Sequence, residues 1–298
     1  MQVLVHLGLN KCASTFIQNA LDQSRPILKS AGTWYPDQTG PPCQYGVSKH
    51  YGFGPNEPSI VPRSVAALID EADRNRCDRL ILSSEYLSLC RPNAARAFCE
   101  DLAKYSRQTR FVIFSREIFG WVRSLFNQYI KAVEGPGQLD DLNAFIDQVL
   151  SNRAAHVAER MAMWQGLAPE GSVRHYRLAP EQDRTDVLSI FETFAGLSIE
   201  MEAPEIANGS IDAAALHRIG RLRRKLPTPD RDAEIERLSC GGASPYPEPA
   251  GFLDISADRR ARIIREIVAP YAALPSLTLP EVSQVGSPPP SLQSLELS

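Results

Sequence analysis

Four short apolar runs, Val3–Leu7, Leu80–Ser83, Phe111–Phe114 and Val173–Tyr176, punctuate the chain, and between them apolar residues recur every three or four positions. Runs this short, rich in branched and aromatic side chains, predict strands buried in a sheet. The periodic stretches predict helices near 15–30, 60–75, 93–105, 117–134, 141–150, 154–167, 183–195, 211–226 and 257–272. Strands alternating with helices predict an α/β fold, a parallel sheet flanked by helices on both faces. Ligands of such sheets gather at the carboxyl ends of the strands. Residues 31–58 break the rhythm with glycines and prolines and carry Trp34, Tyr35, Tyr45, Tyr51 and Phe53. Such a segment forms either a substrate wall or a packed loop. Residues 240–253 are similar, and the chain after Leu274 holds Pro288-Pro289-Pro290 with little periodicity. The expected division is one domain over 1–274 and a disordered tail over 275–298.

The first strand leads into His6-Leu7-Gly8-Leu9-Asn10-Lys11-Cys12-Ala13-Ser14-Thr15, a short turn with one lysine before a helix. The helix carries Phe16, Ile17, Ala20, Leu21, Ser24 and Leu28 at helical spacing. A strand that turns into a helix N-terminus leaves backbone N–H groups aimed one way, and the helix dipole and lysine add positive charge. A phosphate or sulfate suits that place. The alternative is an ordinary βα turn in which Ser14 or Thr15 caps the helix. A kinase P-loop requires Gly-Lys-Ser/Thr, whereas Lys11 precedes Ser14 by three residues and no glycine follows Gly8 in the turn.

Phe111-Val112-Ile113-Phe114 ends in Ser115-Arg116, and the following helix bears Val122, Leu125, Phe126, Tyr129 and Val133 as its apolar stripe. Gly120, Ser124, Gln128 and Lys131 fall on another face. Helical side chains lean toward the N-terminus, so Ser124 points back toward Arg116 over a glycine. An arginine fork with a hydroxyl suits a second phosphate pocket, and the alternative is a solvated surface charge.

Together the two segments resemble the sulfotransferases that use 3′-phosphoadenosine 5′-phosphosulfate. The His6–Thr15 run is similar to their phosphosulfate loop, usually closer to Lys-Thr-Gly-Thr-Thr, and Arg116 with Ser124 resembles their 3′-phosphate motif. Ser124-Leu125-Phe126-Asn127-Gln128-Tyr129 and Ile81-Leu82-Ser83-Ser84-Glu85 are similar to segments of bacterial members, and Asn208-Gly209-Ser210 to a weaker feature. The resemblance spans roughly residues 1–210. It implies a P-loop NTPase-like sulfotransferase architecture. It also implies a donor nucleotide held by Asn10, Lys11, Cys12, Ala13, Ser14 and Thr15, by Arg116 and Ser124, and by Tyr176 near the adenine. Cys12 and Ala13 stand where Thr and Gly are usual, which removes a hydroxyl contact but spares backbone N–H groups.

Sulfuryl transfer needs a cation on the departing oxygen and a base for the acceptor's proton. Lys11 is the candidate cation. Glu85, just after a short strand, is the candidate base, and the competing reading has it open a helix as a favourable N-terminal charge. His50 is the second candidate base. Arg218, Arg221, Arg223, Arg224 and Lys225 lie on a helix whose buried stripe is Ile211, Ala215, Ile219, Leu222 and Leu226, so these charges read as a solvated face. Met161 and Trp164 read as core.

A formal net charge of −3 gives no electrostatic reason for a nucleic-acid partner. No apolar run is long enough to span a bilayer, and the first strand begins almost at Met1, leaving no room for a signal peptide. Six cysteines without a Cys-x-x-Cys pair and five histidines without zinc-ligand spacing predict reduced thiols, a cytoplasmic location and no metal. The expectation is a cytoplasmic sulfotransferase acting on a hydroxyl or amine of a carbohydrate or small-molecule acceptor. An atypical P-loop nucleotide kinase and a non-catalytic nucleotide-binding protein are the alternatives.

Overall fold

The structure is a computed structural model that describes residues 1–9, 11–37, 43–52, 58–132, 141–151, 156–178, 184–199, 211–240, 244 and 252–273. Asn10, Phe53, Val133, Asn208-Gly209-Ser210 and the expected tail lie outside the described residues. Among the described residues the strands are β1 (Gln2–Leu7), β2 (Thr33–Trp34), β3 (Arg79–Ser84), β4 (Gln108–Ser115) and β5 (Val173–Arg177). They pair in parallel in the order β2-β3-β1-β4-β5. The helices of the first half are α1 (Ser14–Gln23), α2 (Arg25–Ser30), α3 (Tyr45–His50), α4 (Val65–Arg74), α5 (Glu85–Leu89), α6 (Pro92–Tyr105) and α7 (Ile118–Ala132). Those of the second half are α8 (Leu142–Ser151), α9 (Val157–Leu167), α10 (Arg184–Ala195), α11 (Ala213–Arg223), α12 (Pro229–Ser239), α13 (Ala257–Ile263) and, after a π turn at Ile264–Val268, α14 (Ala269–Ala272).

Both faces of the sheet are covered, as the unbroken apolar strands require. Leu4, His6, Ser83 and Phe114 look toward α1 and α10: the His6 ring meets Phe114 and Phe191 edge-on, and Gln18 donates to Ser83 Oγ at 3.2 Å. Val5, Ser84 and Phe111 look the other way, where Phe111 and Phe98 pack on Trp164 of α9 and Ser84 Oγ bonds Ser48 Oγ of α3 at 2.8 Å. Met161 and Trp164 are core residues, as their spacing predicts. Each fully buried large apolar side chain stabilises the fold by about 1.5–3 kcal/mol.

The expected helix over 15–30 is two helices. Pro26 lacks the N–H that would bond back to Asp22, so the chain breaks at Ser24 and restarts. The glycine-rich stretch from residue 31 contains β2 and α3. Gln44 holds α3 against the sheet edge by accepting from Ser83 N and donating its own N–H to Ser83 O at 2.8 Å. A further helix, α12, starts at Thr228, whose hydroxyl accepts from Arg231 N at 3.2 Å. The stripe on α11 is buried at Ile211, Ala215, Ile219 and Leu222, but Leu226 is 86% exposed because the helix ends at Arg223, ahead of Pro227.

The chain leaves β1 toward β2 and β3 and leaves β4 toward β5. The connections therefore part company between β1 and β4, which opens a crevice at the carboxyl ends of these two strands.

Candidate functional site

The floor of that crevice is the turn between β1 and α1. Gly8 permits it: a Cβ there would fall 2.7 Å from Ser14 Oγ and 3.2 Å from Glu85 Cα. Ser88 Oγ donates to Gly8 O at 2.6 Å and ties α5 down onto the same residue. The start of α1 and the start of α5 thus converge on one glycine. Lys11 and Ala13 both have left-handed backbone, at φ 65 and 62. Ala13 is the N-cap of α1, and among the described residues no side chain caps the helix. Ser14 is buried and donates its hydroxyl to Leu9 O at 3.1 Å, while Thr15 is exposed. Neither residue acts as the cap, so the N-terminal amides of α1 have no side-chain acceptor among the described residues.

Cys12 joins the two halves. Burial pushes its thiol up to about 12, against the pull of the nearby Arg116. Its own N–H donates to Leu9 O at 3.2 Å. Cys12 is accordingly an inert thiol between the first turn and the end of β4. Beyond it, the Arg116 guanidinium lies over Gly120, where a Cβ would sit 3.7 Å from Nη2. Ser124, part-buried, is one turn further along α7. Glu117 caps this helix, with Oε1 accepting from Phe119 N at 2.7 Å and Oε2 from Gly120 N at 2.6 Å.

Lys11 and Glu85 share a half-buried environment. Burial lowers the Lys11 pKa, Glu85 pulls it back up, and Lys131 lowers it further. Burial raises the Glu85 carboxyl while Lys11 lowers it. Glu85 is also the first residue of α5, the helix-opening position of the competing sequence reading. Lys131 reaches this group from the far end of α7, on the stripe Gly120, Ser124, Asn127 and Lys131. Gln128, placed on that stripe by the sequence, is exposed.

The aromatic segment contributes one of its described rings. Tyr45 lies beside the Cys43 thiol and within electrostatic reach of Glu85, and meets Tyr86 edge-on at 5.3 Å. Tyr35 is buried beneath Arg25, and Tyr51 packs on Phe98 and donates to Asp101 at 2.8 Å. His50 meets Tyr51 edge-on and lies within electrostatic reach of Asp101 of α6. Tyr176 stacks on Phe114 and lines a small cavity with Arg110 and Arg174. The sequence-predicted residues Lys11, Cys12, Ser14, Glu85 and Arg116 therefore meet around one crevice. Lys131, Tyr45 and Tyr86 join them, and helical spacing alone signals the first of these three.

No protein-family model and no curated protein matches the chain. Two solved structures are similar to it. A sulfotransferase from Alicyclobacillus acidocaldarius aligns at 12% identity and a TM-score of 0.42, over 80% of this chain and 95% of its own. A sulfotransferase domain from the curacin biosynthetic pathway aligns at 11% identity and a TM-score of 0.43, over 89% of this chain and 96% of its own. Superpositions this loose decide nothing about chemistry. Among the described residues there is no cluster of side chains that could hold a metal ion, and no helix is long and apolar enough to cross a membrane.

Proposed function

We propose that the chain is a sulfotransferase that takes its sulfuryl group from 3′-phosphoadenosine 5′-phosphosulfate and passes it to a hydroxyl or amine of a carbohydrate or small molecule. One observation carries this reading: the Cys12 thiol of the first turn lies within electrostatic reach of Arg116 and Glu85, so the lysine-bearing turn and the Arg116 guanidinium stand beside one crevice. A nucleotide with anionic groups at both its 5′ and 3′ positions fits two such cationic places held apart by the width of a strand pair. The uncapped amides of α1 fit the phosphosulfate end.

The donor supplies a sulfuryl group already joined to a good leaving group. Lys11 stabilises the negative charge that grows on the departing oxygen. Glu85 removes the acceptor's proton, and its raised affinity for protons makes it a stronger base than an exposed carboxylate. Tyr45 and Tyr86 beside it give a ring-bearing acceptor such as a sugar an apolar surface to lie against.

Calorimetry with 3′-phosphoadenosine 5′-phosphate, AMP and magnesium-ATP tests the reading. The bisphosphate is expected to bind tightest, and Arg116→Ala to weaken it about tenfold or more while sparing AMP. Equal losses for both ligands, or tighter binding of magnesium-ATP, would overturn it.

A further inference from the structure

At the opposite edge of the sheet, three strands begin with arginines on one face. Arg79 is the first residue of β3, Arg110 the third of β4 and Arg174 the second of β5. Gln2 pairs with Arg79, Leu4 with Arg110 and Val112 with Arg174, so alternation points all three toward the α10 side. A cavity of about 220 Å³ opens there, lined by Arg110, Arg174, Tyr176, Ser172, Thr193 and Phe194.

The charges in this place are unbalanced. Arg110 is half-buried with its guanidinium 5.0 Å from the centre of the Phe194 ring, and its buried Nε has no hydrogen-bond partner among the described residues. Arg79 donates to Gln2 Oε1 at 3.1 Å and to Gly196 O at 3.4 Å, and Arg174 to Gly171 O at 2.9 Å. Among the described residues no carboxylate pairs with any of the three. Burial, then Arg79, and also Arg174 hold the Arg110 pKa below the usual guanidinium range, against a pull from Tyr176. Carbonyls at the end of α10 lend partial negative charge through Gly196. They bring no formal charge. Taking a guanidinium partly out of water beside two others is unfavourable unless an anion completes the group.

We propose that this cavity binds a small oxyanion, phosphate or sulfate, with Arg110 and Arg174 as its forks and Arg79 as a supporting charge. Phosphate and sulfate present the planar-fork geometry that arginine recognises. The arginines stand toward the amino ends of the strands, away from Lys11 and Arg116 at the carboxyl ends, and Tyr176, the adenine contact that the resemblance implies, lines this cavity instead.

The test uses full-length protein carrying Lys11→Ala and Arg116→Ala, which silences the carboxyl-end crevice. Titration calorimetry with inorganic phosphate and with inorganic sulfate is expected to show saturable binding. Adding Arg110→Gln is expected to weaken it about tenfold or more, and Arg110→Lys to keep part of it by retaining charge without the fork. Should Arg110→Gln fail to fold, Arg174→Gln at an exposed position serves as the second variant. AMP distinguishes the sources: tighter binding than phosphate, lost with Arg110→Gln, assigns an ester, and weaker binding assigns the free ion. Absence of saturable binding, or binding unchanged by both glutamine variants, overturns the proposal.

Discussion

Burial moves Lys11 and Glu85 in opposite directions on the pH scale and toward the same outcome, a pair nearer neutrality than either would be in water. The proposed reaction requires Glu85 ionised and Lys11 protonated. The acid limb of kcat/KM is therefore expected above the ordinary carboxylate range, since burial raises Glu85. The alkaline limb is expected below the ordinary lysine range, since burial and Lys131 lower Lys11. Glu85→Gln should remove the acid limb and cut kcat by about 10²–10⁴. Lys131→Ala takes away a like charge and should move the alkaline limb upward. A limb that stays in place in Lys131→Ala would remove Lys131 from the site. Lys11, Glu85 and Arg116 were legible because each follows a strand in a short, distinctive segment. Lys131 appeared only as a stripe position, because its approach to Lys11 depends on where the far end of α7 lands.

At the scale of elements, the turn into α1 departs from its usual sequence at a backbone cost. Ala13 adopts φ 62, a conformation that glycine takes without strain and that crowds the Cβ of any other residue. Ala13→Gly is expected to stabilise the protein by roughly 0.5–1 kcal/mol, the relief of that crowding less the extra entropy of an unfolded glycine. Thermal unfolding should show Tm rising by about 1–3 °C. A lower Tm would mean that the alanine methyl contributes packing that outweighs the strain. The long helices and four of the strands could be read from periodicity, because their apolar residues meet a large core. The two-residue β2 and the six-residue α3 could not. Backbone bonds to β3 and the Gln44 side chain fix them, and neither leaves a repeating pattern. The start of α12 did carry a signal, a threonine followed by proline and acidic residues.

For the molecule as a whole, two histidines buried against the sheet tie stability to pH. His6 is held down to about 3 by burial, and His175 to about 4 by burial and then by Arg177. His6 Nδ1 bonds Ser83 Oγ at 2.8 Å, and His175 Nε2 bonds Ser115 Oγ at 2.5 Å, so each ring joins a pair of strands. In the unfolded chain both rings titrate near 6.5. The unfolded state therefore binds protons first, and stability falls as pH drops below about 6.5 until the folded-state values are reached. Between pH 7 and pH 5 each ring should cost about 2 kcal/mol of unfolding free energy. Most carboxylates remain ionised across that window and contribute little. Urea melts at the two pH values measure the difference directly. His6→Asn keeps a polar atom near the Nδ1 position and removes the titration, so its loss between pH 7 and pH 5 should be about half that of the wild type. Its stability at pH 7 should also be lower, because the smaller side chain leaves Phe114 and Phe191 without their edge-on partner. A variant whose loss matches the wild type would show that His6 is not what links the sheet to pH.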